Sequence, residues 1–172
     1  MKTIKKSLPF LFLLAAVFFT SCSSDDDNGG GGTAGAGTIT AKIDGASFTS
    51  SEQLTLAAVI TAGPATTLTL QGSNFDGKGF NFIVNGFDGV GTYEIGGTNS
   101  IFVIGSYVEG NATDPLNTQT WTAPYDDESG RGEISFSEVT DNNVKGTFQF
   151  TCKNPNDNTV KNITEGSFNV SY

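Results

Sequence analysis

The 172-residue chain contains no histidine, and it has only one tryptophan, one methionine and two cysteines. Without an imidazole, the chain lacks the general base of Ser–His–Asp and Cys–His nucleophile systems and the commonest side-chain ligand of zinc. It also lacks the one side chain that ordinarily titrates near neutral pH. The composition therefore excludes histidine-based catalysis, histidine-ligated zinc and an imidazole pH switch.

Basic side chains are also scarce in this sequence. Lysine and arginine total 9, against 18 aspartate and glutamate residues, and the formal net charge is −9. Proteins that bind nucleic acid neutralise its phosphates with clustered lysine and arginine side chains. We therefore expect no nucleic-acid partner.

The N-terminus has the layout of a signal peptide. Lysines at positions 2, 5 and 6 precede an apolar run over residues 8–19, broken only by Pro9. This run is too short for a transmembrane helix, which needs about 20 apolar residues. Residues 19–22, Phe-Thr-Ser-Cys, resemble a bacterial lipobox, whose cysteine is lipidated. The resemblance implies a lipoprotein signal peptide over residues 1–21 and a membrane anchor on Cys22; the alternative is an ordinary secretory signal.

Residues 22–37 form an acidic and glycine-rich segment without a large apolar residue. Such a segment cannot build a core, so we expect a flexible tether with a reach of roughly 20–25 Å. Its acidic triplet, Asp25–Asp27, is similar to the surface-export signal of Bacteroidota lipoproteins. That resemblance implies an outer-membrane lipoprotein exposed on the cell surface. If the triplet is only a spacer, the domain faces the periplasm.

Residues 38–172 have the pattern of an antiparallel β-domain. Apolar and polar residues alternate, for example over residues 54–60 and 144–153, and Asp44-Gly45 is typical of a two-residue hairpin turn. The apolar run 101–108 predicts a strand covered on both faces or one at a sheet corner. About 9–11 such strands must pack together or close on themselves. We expect one all-β domain, an antiparallel β-sandwich or flattened β-barrel, with almost no helix after the signal peptide.

Strand-and-turn motifs in the domain indicate a family. They lie in residues 39–48, which begin Ile-Thr-Ala-Lys-Ile-Asp-Gly, and in residues 132–137, 144–150 and 163–170. The closing segments contain Gly-Thr-Phe-Gln-Phe and Ile-Thr-Glu-Gly-Ser-Phe. The chain thereby resembles the small uncharacterised lipoproteins of Bacteroidota. The resemblance implies a location and an all-β fold, and it carries over no activity and no functional residue.

Trp121 and Tyr125 are the aromatic candidates for ligand binding. Both lie within residues 114–131, the longest stretch with weak strand character, so we expect them on a loop. An aromatic side chain on a loop can stack on a sugar ring or anchor a protein partner. The alternative is that Trp121 closes one end of the core.

Asp126, Asp127 and Glu128 form an acidic cluster that precedes Gly130. Carboxylate oxygens are the ligands that Ca²⁺ prefers, so this cluster is the candidate metal site, with a solvated loop as the alternative. No other cofactor is expected. Cys152 lies on the apolar face of a predicted strand, and we expect a buried thiol without a disulfide partner.

These features favour a non-catalytic binding module that is anchored in the membrane through Cys22. Its partner would be a glycan, a small apolar ligand or another envelope protein. The first alternative is a structural or accessory subunit of an envelope complex. The second is a hydrolase with paired carboxylates. Because a single domain with short turns has few loops long enough to form a catalytic cleft, we expect no enzymatic activity.

Overall fold

The structure, a computed structural model, describes residues 33–96, 102–111, 113–126 and 131–172. Several predictions fall on residues outside these ranges: the signal peptide, Cys22, Asp25–Asp27, Asp127 and Glu128. For them the sequence-based expectations stand as predictions.

The described residues form eleven β-strands. They are β1 (Thr38–Ile43), β2 (Ala46–Thr49), β3 (Thr55–Ala62), β4 (Ala65–Ser73), β5 (Lys78–Asn85), β6 (Gly91–Ile95), β7 (Phe102–Glu109), β8 (Gln119–Ala123), β9 (Gly132–Val139), β10 (Asn143–Lys153) and β11 (Val160–Ser171). Two short 3₁₀ turns, Glu52–Leu54 and Pro115–Asn117, are the only helical elements in the described ranges. The predicted all-β class is confirmed. Nothing helical in this part of the chain is long and apolar enough to cross a membrane.

The strands form one antiparallel sheet that curls into a half-barrel. The main path runs β2-β1-β11-β10-β8-β7-β5-β4-β3, and β9 branches from β10 and carries β6. The branch arises because residues 144–150 of β10 pair with β9, whereas Lys153 pairs with Thr122 of β8. Strands β3, β4, β5, β7 and β8 therefore form one half of the sheet, and the remaining strands form the other.

Phenylalanine rings fill the space between the two halves. Phe80 and Phe82 of β5 meet Phe148 and Phe150 of β10, with ring centroids 4.8 to 6.3 Å apart. These distances are those of favourable tilted and edge-to-face pairs. Because none of these rings is more than 3% exposed, this part of the interior is a packed core.

The predicted hairpin at Asp44-Gly45 is confirmed. β1 and β2 pair up to Ile43 and Ala46, and φ is 50° at Asp44 and 87° at Gly45. Two consecutive positive φ values define the type I′ turn, whose twist matches that of the flanking strands. The turn fixes β2 on one edge of β1, and the other edge of β1 pairs with β11.

The outer face of β3 is apolar, which the alternation in the sequence did not predict. Leu56 and Ile60 belong to that alternation, yet they are 46% and 62% exposed. The cause is the pairing with β4, in which Ala57 lies opposite Leu70. Opposite residues point to the same face, and Leu70 is fully buried. Ala57 therefore faces the core, and Leu56 and Ile60 face solvent.

β7 also differs from the prediction of a strand covered on both faces or placed at a corner. It pairs with β5 and β8, and the sheet branches at β10. Val103 and Tyr107 are fully buried on its inner face, but Phe102 is 45% exposed and Ile104 is half-buried on its outer face. The apolar run thus reflects a partly exposed outer face.

The chain enters the domain at one end of the half-barrel. Thr38, the first residue of β1, pairs with Asn169 near the C-terminus of β11, whereas Ile43 pairs with Ile163. The turns β1–β2, β4–β5 and β10–β11 lie at the Ile43 side, which we call the distal end. At about 3.3 Å per residue, the length of β1 separates the distal end from Thr38 by about 20 Å. The last residues of the predicted tether are not free of the domain: the N–H of Gly37 donates to the carbonyl oxygen of Asn169, and buried Ala34 donates its N–H to Oγ of Ser167, which pairs with Thr40.

Candidate functional site

A cleft of about 370 Å³ opens at the distal end. Its lining consists of Ile43, Asp44, Ala46, Ser47, Phe48, Asn74, Asp76, Lys78, Tyr107, Glu109 and Lys161. Phe48 and Tyr107 are buried and form the base of the cleft, and five of the lining side chains carry a charge. We call this site the distal cleft; most of its lining side chains are polar or charged.

Lys161 contacts two of the carboxylates that line the distal cleft. Its Nζ lies 3.4 Å from Oδ2 of Asp44 and 3.9 Å from Oε1 of Glu109. The backbone N–H of Asn162 donates to Oδ1 of Asp44 at 2.9 Å. A ligand would therefore meet polar groups that are already oriented.

Tyr107 supports the same network from the core. Its hydroxyl donates to Oε1 of Glu109 at 2.8 Å. Burial, together with the hydrogen bond to Glu109, raises the pKa of the Tyr107 hydroxyl well above its ordinary value. The phenol therefore remains a protonated donor that orients the Glu109 carboxylate.

Trp121 lies in the core and on a strand. The expectation of a loop position is wrong for this residue, because residues 119–123 pair with β7. The side chain is 5% exposed, its ring centroid lies 5.7 Å from that of Tyr107, and its Nε1 donates to Oγ1 of Thr159 at 2.9 Å. Nζ of Lys161 lies 5.1 Å from the centroid of its ring. This placement favours the interpretation that Trp121 closes one end of the core, where it contacts two residues that line the distal cleft; direct ligand contact stays a prediction.

Tyr125 and Asp126 line a second cleft, of about 350 Å³, near the point where β8 separates from β10. The Arg131 guanidinium lies 3.9 Å from the centroid of the Tyr125 ring, and Lys153 Nζ lies 2.9 Å from Oδ2 of Asp126. Arg131 therefore covers one face of the ring, and Lys153 neutralises the carboxylate. The two predicted aromatic residues do not share a cleft, since Trp121 lines neither of these two.

Of the three predicted calcium ligands the structure describes only Asp126, because Asp127 and Glu128 lie outside the described residues. Within the described ranges, no group of three or more histidine, cysteine, aspartate or glutamate side chains is arranged to hold a metal ion. The contact with Lys153 means that a cation at Asp126 would compete with an ammonium group already present. The calcium site stays a prediction.

Cys152 is a buried free thiol, as the sequence predicts. Its side chain is fully buried on the inner face of β10, and its Sγ lies 3.8 Å from the carbonyl oxygen of Lys161. Burial, with a smaller contribution from the charge of Asp44, raises the pKa of the thiol from 9.0 to about 12. A thiol that keeps its proton is a poor nucleophile, so Cys152 is a packing residue.

The raised pKa of Cys152 predicts a loss of stability in alkali. The folded thiol keeps its proton up to about pH 12, whereas an unfolded thiol ionises near its ordinary value of 9.0. The stabilisation that the protonated thiol gives the folded state is complete below pH 9. Above pH 9 the free energy of unfolding falls by about 1.4 kcal/mol per pH unit. The free energy of unfolding, measured in urea at pH 8 and pH 10.5, should fall by about 2 kcal/mol less in Cys152→Ala than in the natural chain. Equal declines in the two proteins would contradict the assignment.

The sequence did not identify the distal cleft as a site. It predicts the β1–β2 turn, which contains Asp44, and the structure adds the β4–β5 turn, which contains Asp76. Neither turn carries a motif that predicts its proximity to Glu109 and Lys161. The cleft exists because the strand order brings these segments to the same end of the sheet.

Comparison with known proteins gives a family without an assigned function. Neither the curated proteins nor the solved structures contain a significant match to the chain. A family model described as a domain of unknown function (DUF6252) matches residues 36–170, which include both clefts. Because this match covers most of the chain, the protein belongs to the DUF6252 family.

Proposed function

We propose that this protein is a lipid-anchored, surface-exposed lipoprotein of the outer membrane that binds an oligosaccharide in its distal cleft without catalysis. The observation that carries the proposal is the make-up of the distal cleft, which is lined by carboxylates, an amide and a hydroxyl and lies at the turn that carries the exposed ring of Phe75. A lipid on Cys22 and the tether that follows would keep the domain close to the membrane surface and leave it free to turn the cleft toward solvent.

The chemistry of the distal cleft suits a polar ligand better than an apolar one. Carboxylates, amides and hydroxyls line it, among them Asp76, Asn74 and Ser47. Phe75, on the turn between Asn74 and Asp76, is 80% exposed. A free aromatic ring next to hydrogen-bonding groups is the combination that binds sugars, because the ring packs on the apolar face of the sugar.

The contacts of the carboxylates support a binding role. Asp44 is held by Lys161 and by the backbone N–H of Asn162, and Glu109 accepts the hydroxyl of Tyr107. These contacts orient both groups. A glycosidase would need two carboxylates flanking the scissile bond, one of them protonated; Asp44 and Glu109 instead share a single ammonium.

A titration of the full chain, solubilised in detergent, against a panel of oligosaccharides tests the proposal. We expect one class to bind, and a ligand at 100 times its Kd adds about 2.7 kcal/mol to the free energy of unfolding. Phe75→Ala should weaken binding by at least about tenfold, which corresponds to about 1.4 kcal/mol. Phe102→Ala, an exposed ring at the opposite end of the sheet, is the matched control and should bind normally.

Three results would contradict the proposal in different ways. No binding by any oligosaccharide contradicts the ligand class. Loss of binding in Tyr125→Ala but not in Phe75→Ala moves the site to the second cleft. Retention of a Cys22→Ser variant in the membrane fraction contradicts the lipid anchor, because removal of the acceptor thiol should release the protein.

A further inference from the structure

The outer edge of β3 is a free strand edge. Within the described ranges β3 pairs with β4 alone, so the backbone N–H and C=O groups on its other side have no strand partner. β3 is eight residues long, twice the length of β2, which ends the sheet on the other side. Proteins commonly protect such edges with short strands, charges or proline. β3 has none of these protections, because it is long and contains no charged residue and no proline.

The sheet half that contains β3 is almost free of charge. Strands β3, β4, β5, β7 and β8 carry only Lys78 and Glu109, both at the distal end. The other half carries eight charged strand residues: Lys42, Glu94, Glu133, Glu138, Lys145, Lys153, Lys161 and Glu165. A chain with a net charge of −9 repels its own copies, so this neutral half is the surface on which two copies can approach.

The outer face next to this edge also carries exposed apolar side chains. Leu56 and Ile60 of β3 are exposed on this face, and the neighbouring strand β4 places the uncharged residues Thr67, Thr69 and Gln71 beside them. The face and the free edge belong to the same strand, so one partner can cover both.

We infer that β3 pairs with β3 of a second copy of this chain, antiparallel and about a two-fold axis perpendicular to the sheet. A two-fold axis at Ala58 places Leu56 of each copy opposite Ile60 of the other. Among the symmetric registers this one pairs the two large apolar residues of the strand. It joins the two neutral halves into one continuous sheet and leaves both distal clefts at the ends of their strands.

Charge selects a second copy over a foreign partner. A basic protein would be drawn to the acidic parts of this chain, and the free edge offers it no carboxylate between Thr55 and Ala62. An acidic protein would find no lysine or arginine there. The edge is complementary to an uncharged strand of alternating Thr, Ala, Val, Leu and Ile, which is what β3 itself supplies.

The mass of the full chain, measured by analytical ultracentrifugation in density-matched detergent, tests the inference. We expect a dimer for the natural sequence and a twofold lower mass for Ala58→Lys, which puts two ammonium groups at the axis. Thr69→Lys is the matched control, because Thr69 lies opposite Ala58 on β4 and on the same outer face. It should remain dimeric. A monomeric natural chain, a dimeric Ala58→Lys variant or a monomeric Thr69→Lys variant would overturn the inference.

Disulfide trapping tests the register without relying on a lysine variant that folds. In a Cys22→Ser background, Ala58→Cys should form a covalent dimer on mild oxidation, because opposite Cβ atoms lie about 4.5–5.5 Å apart. Thr69→Cys should not, since two copies of this residue would be three strand spacings apart, about 14 Å. The buried Cys152 should not react. A covalent dimer of Thr69→Cys, or no covalent dimer with either variant, would overturn the pairing.

Discussion

Trp121→Ala is expected to lower the free energy of unfolding by about 4 kcal/mol, which is typical of removing a large buried aromatic side chain. The ring is 5% exposed and packs on Tyr107. Its removal also deprives Oγ1 of Thr159 of the Nε1–H donor and Lys161 of an aromatic contact. Urea unfolding followed by far-UV circular dichroism measures the change.

Two controls separate packing from ligand contact at Trp121. Trp121→Phe keeps an aromatic ring and loses the hydrogen bond to Thr159, so it should cost much less, about 1–2 kcal/mol. Tyr125→Ala changes a half-buried residue outside the Phe core and should have a smaller effect than Trp121→Ala. If Trp121→Ala unfolds like the natural chain but loses ligand binding, the packing interpretation is wrong.

Trp121 shows why a short strand is hard to predict from sequence. β8 has five residues, and the segments on both sides of it lack alternation. Its stability comes from partners that are distant in sequence: Tyr107 lies opposite Trp121 on β7, and the buried Asn154 donates to Oε1 of Gln119 at 2.9 Å. Local propensity is a weak guide where tertiary contacts decide.

Elements with local determinants were predicted well. The Asp44-Gly45 turn fixes its own hairpin, and the alternation over residues 144–153 gives both the strand β10 and the burial of Cys152. The face of β3 was not predictable in this way. Alternation shows that Leu56 and Ile60 share a face, but only the pairing with β4 determines which face is buried.

The candidate site could be predicted only in parts. Tyr125 and Asp126 are neighbours in sequence and remain neighbours in one cleft. The distal cleft brings together residues as far apart in the sequence as Asp44 and Lys161, and no local sequence pattern predicts that they are close in space. Its existence follows from strand order, which a single sequence does not encode in any local motif.

Gly166→Ala and Gly146→Ala are each expected to lower the free energy of unfolding by about 3 kcal/mol, at the upper end of the usual range for overpacking. The two glycines lie opposite phenylalanines on paired strands: Gly146 opposite Phe168, and Gly166 opposite Phe148. A methyl group at position 166 would overlap the ring and carbonyl oxygen of Phe148. A methyl at position 146 would overlap the Phe168 ring and the carbonyl oxygen of Ser135. Glycine at both positions lets the rings lie across the neighbouring backbone.

A graded series tests this explanation by chemical unfolding. Gly105→Ala should cost less, because the new methyl would meet only side-chain atoms, at 3.2 to 3.3 Å. Gly35→Ala should be nearly neutral, since its nearest neighbour, Oγ1 of Thr38, is 3.6 Å away. If the Phe148 ring is the obstacle, Phe148→Leu should cost less in the Gly166→Ala background than in the natural chain, because the smaller side chain relieves the overlap. Additive costs would instead assign the whole effect to the carbonyl oxygen of Phe148, and the interlocked Gly–Phe pairs would then not be the reason for glycine at this position.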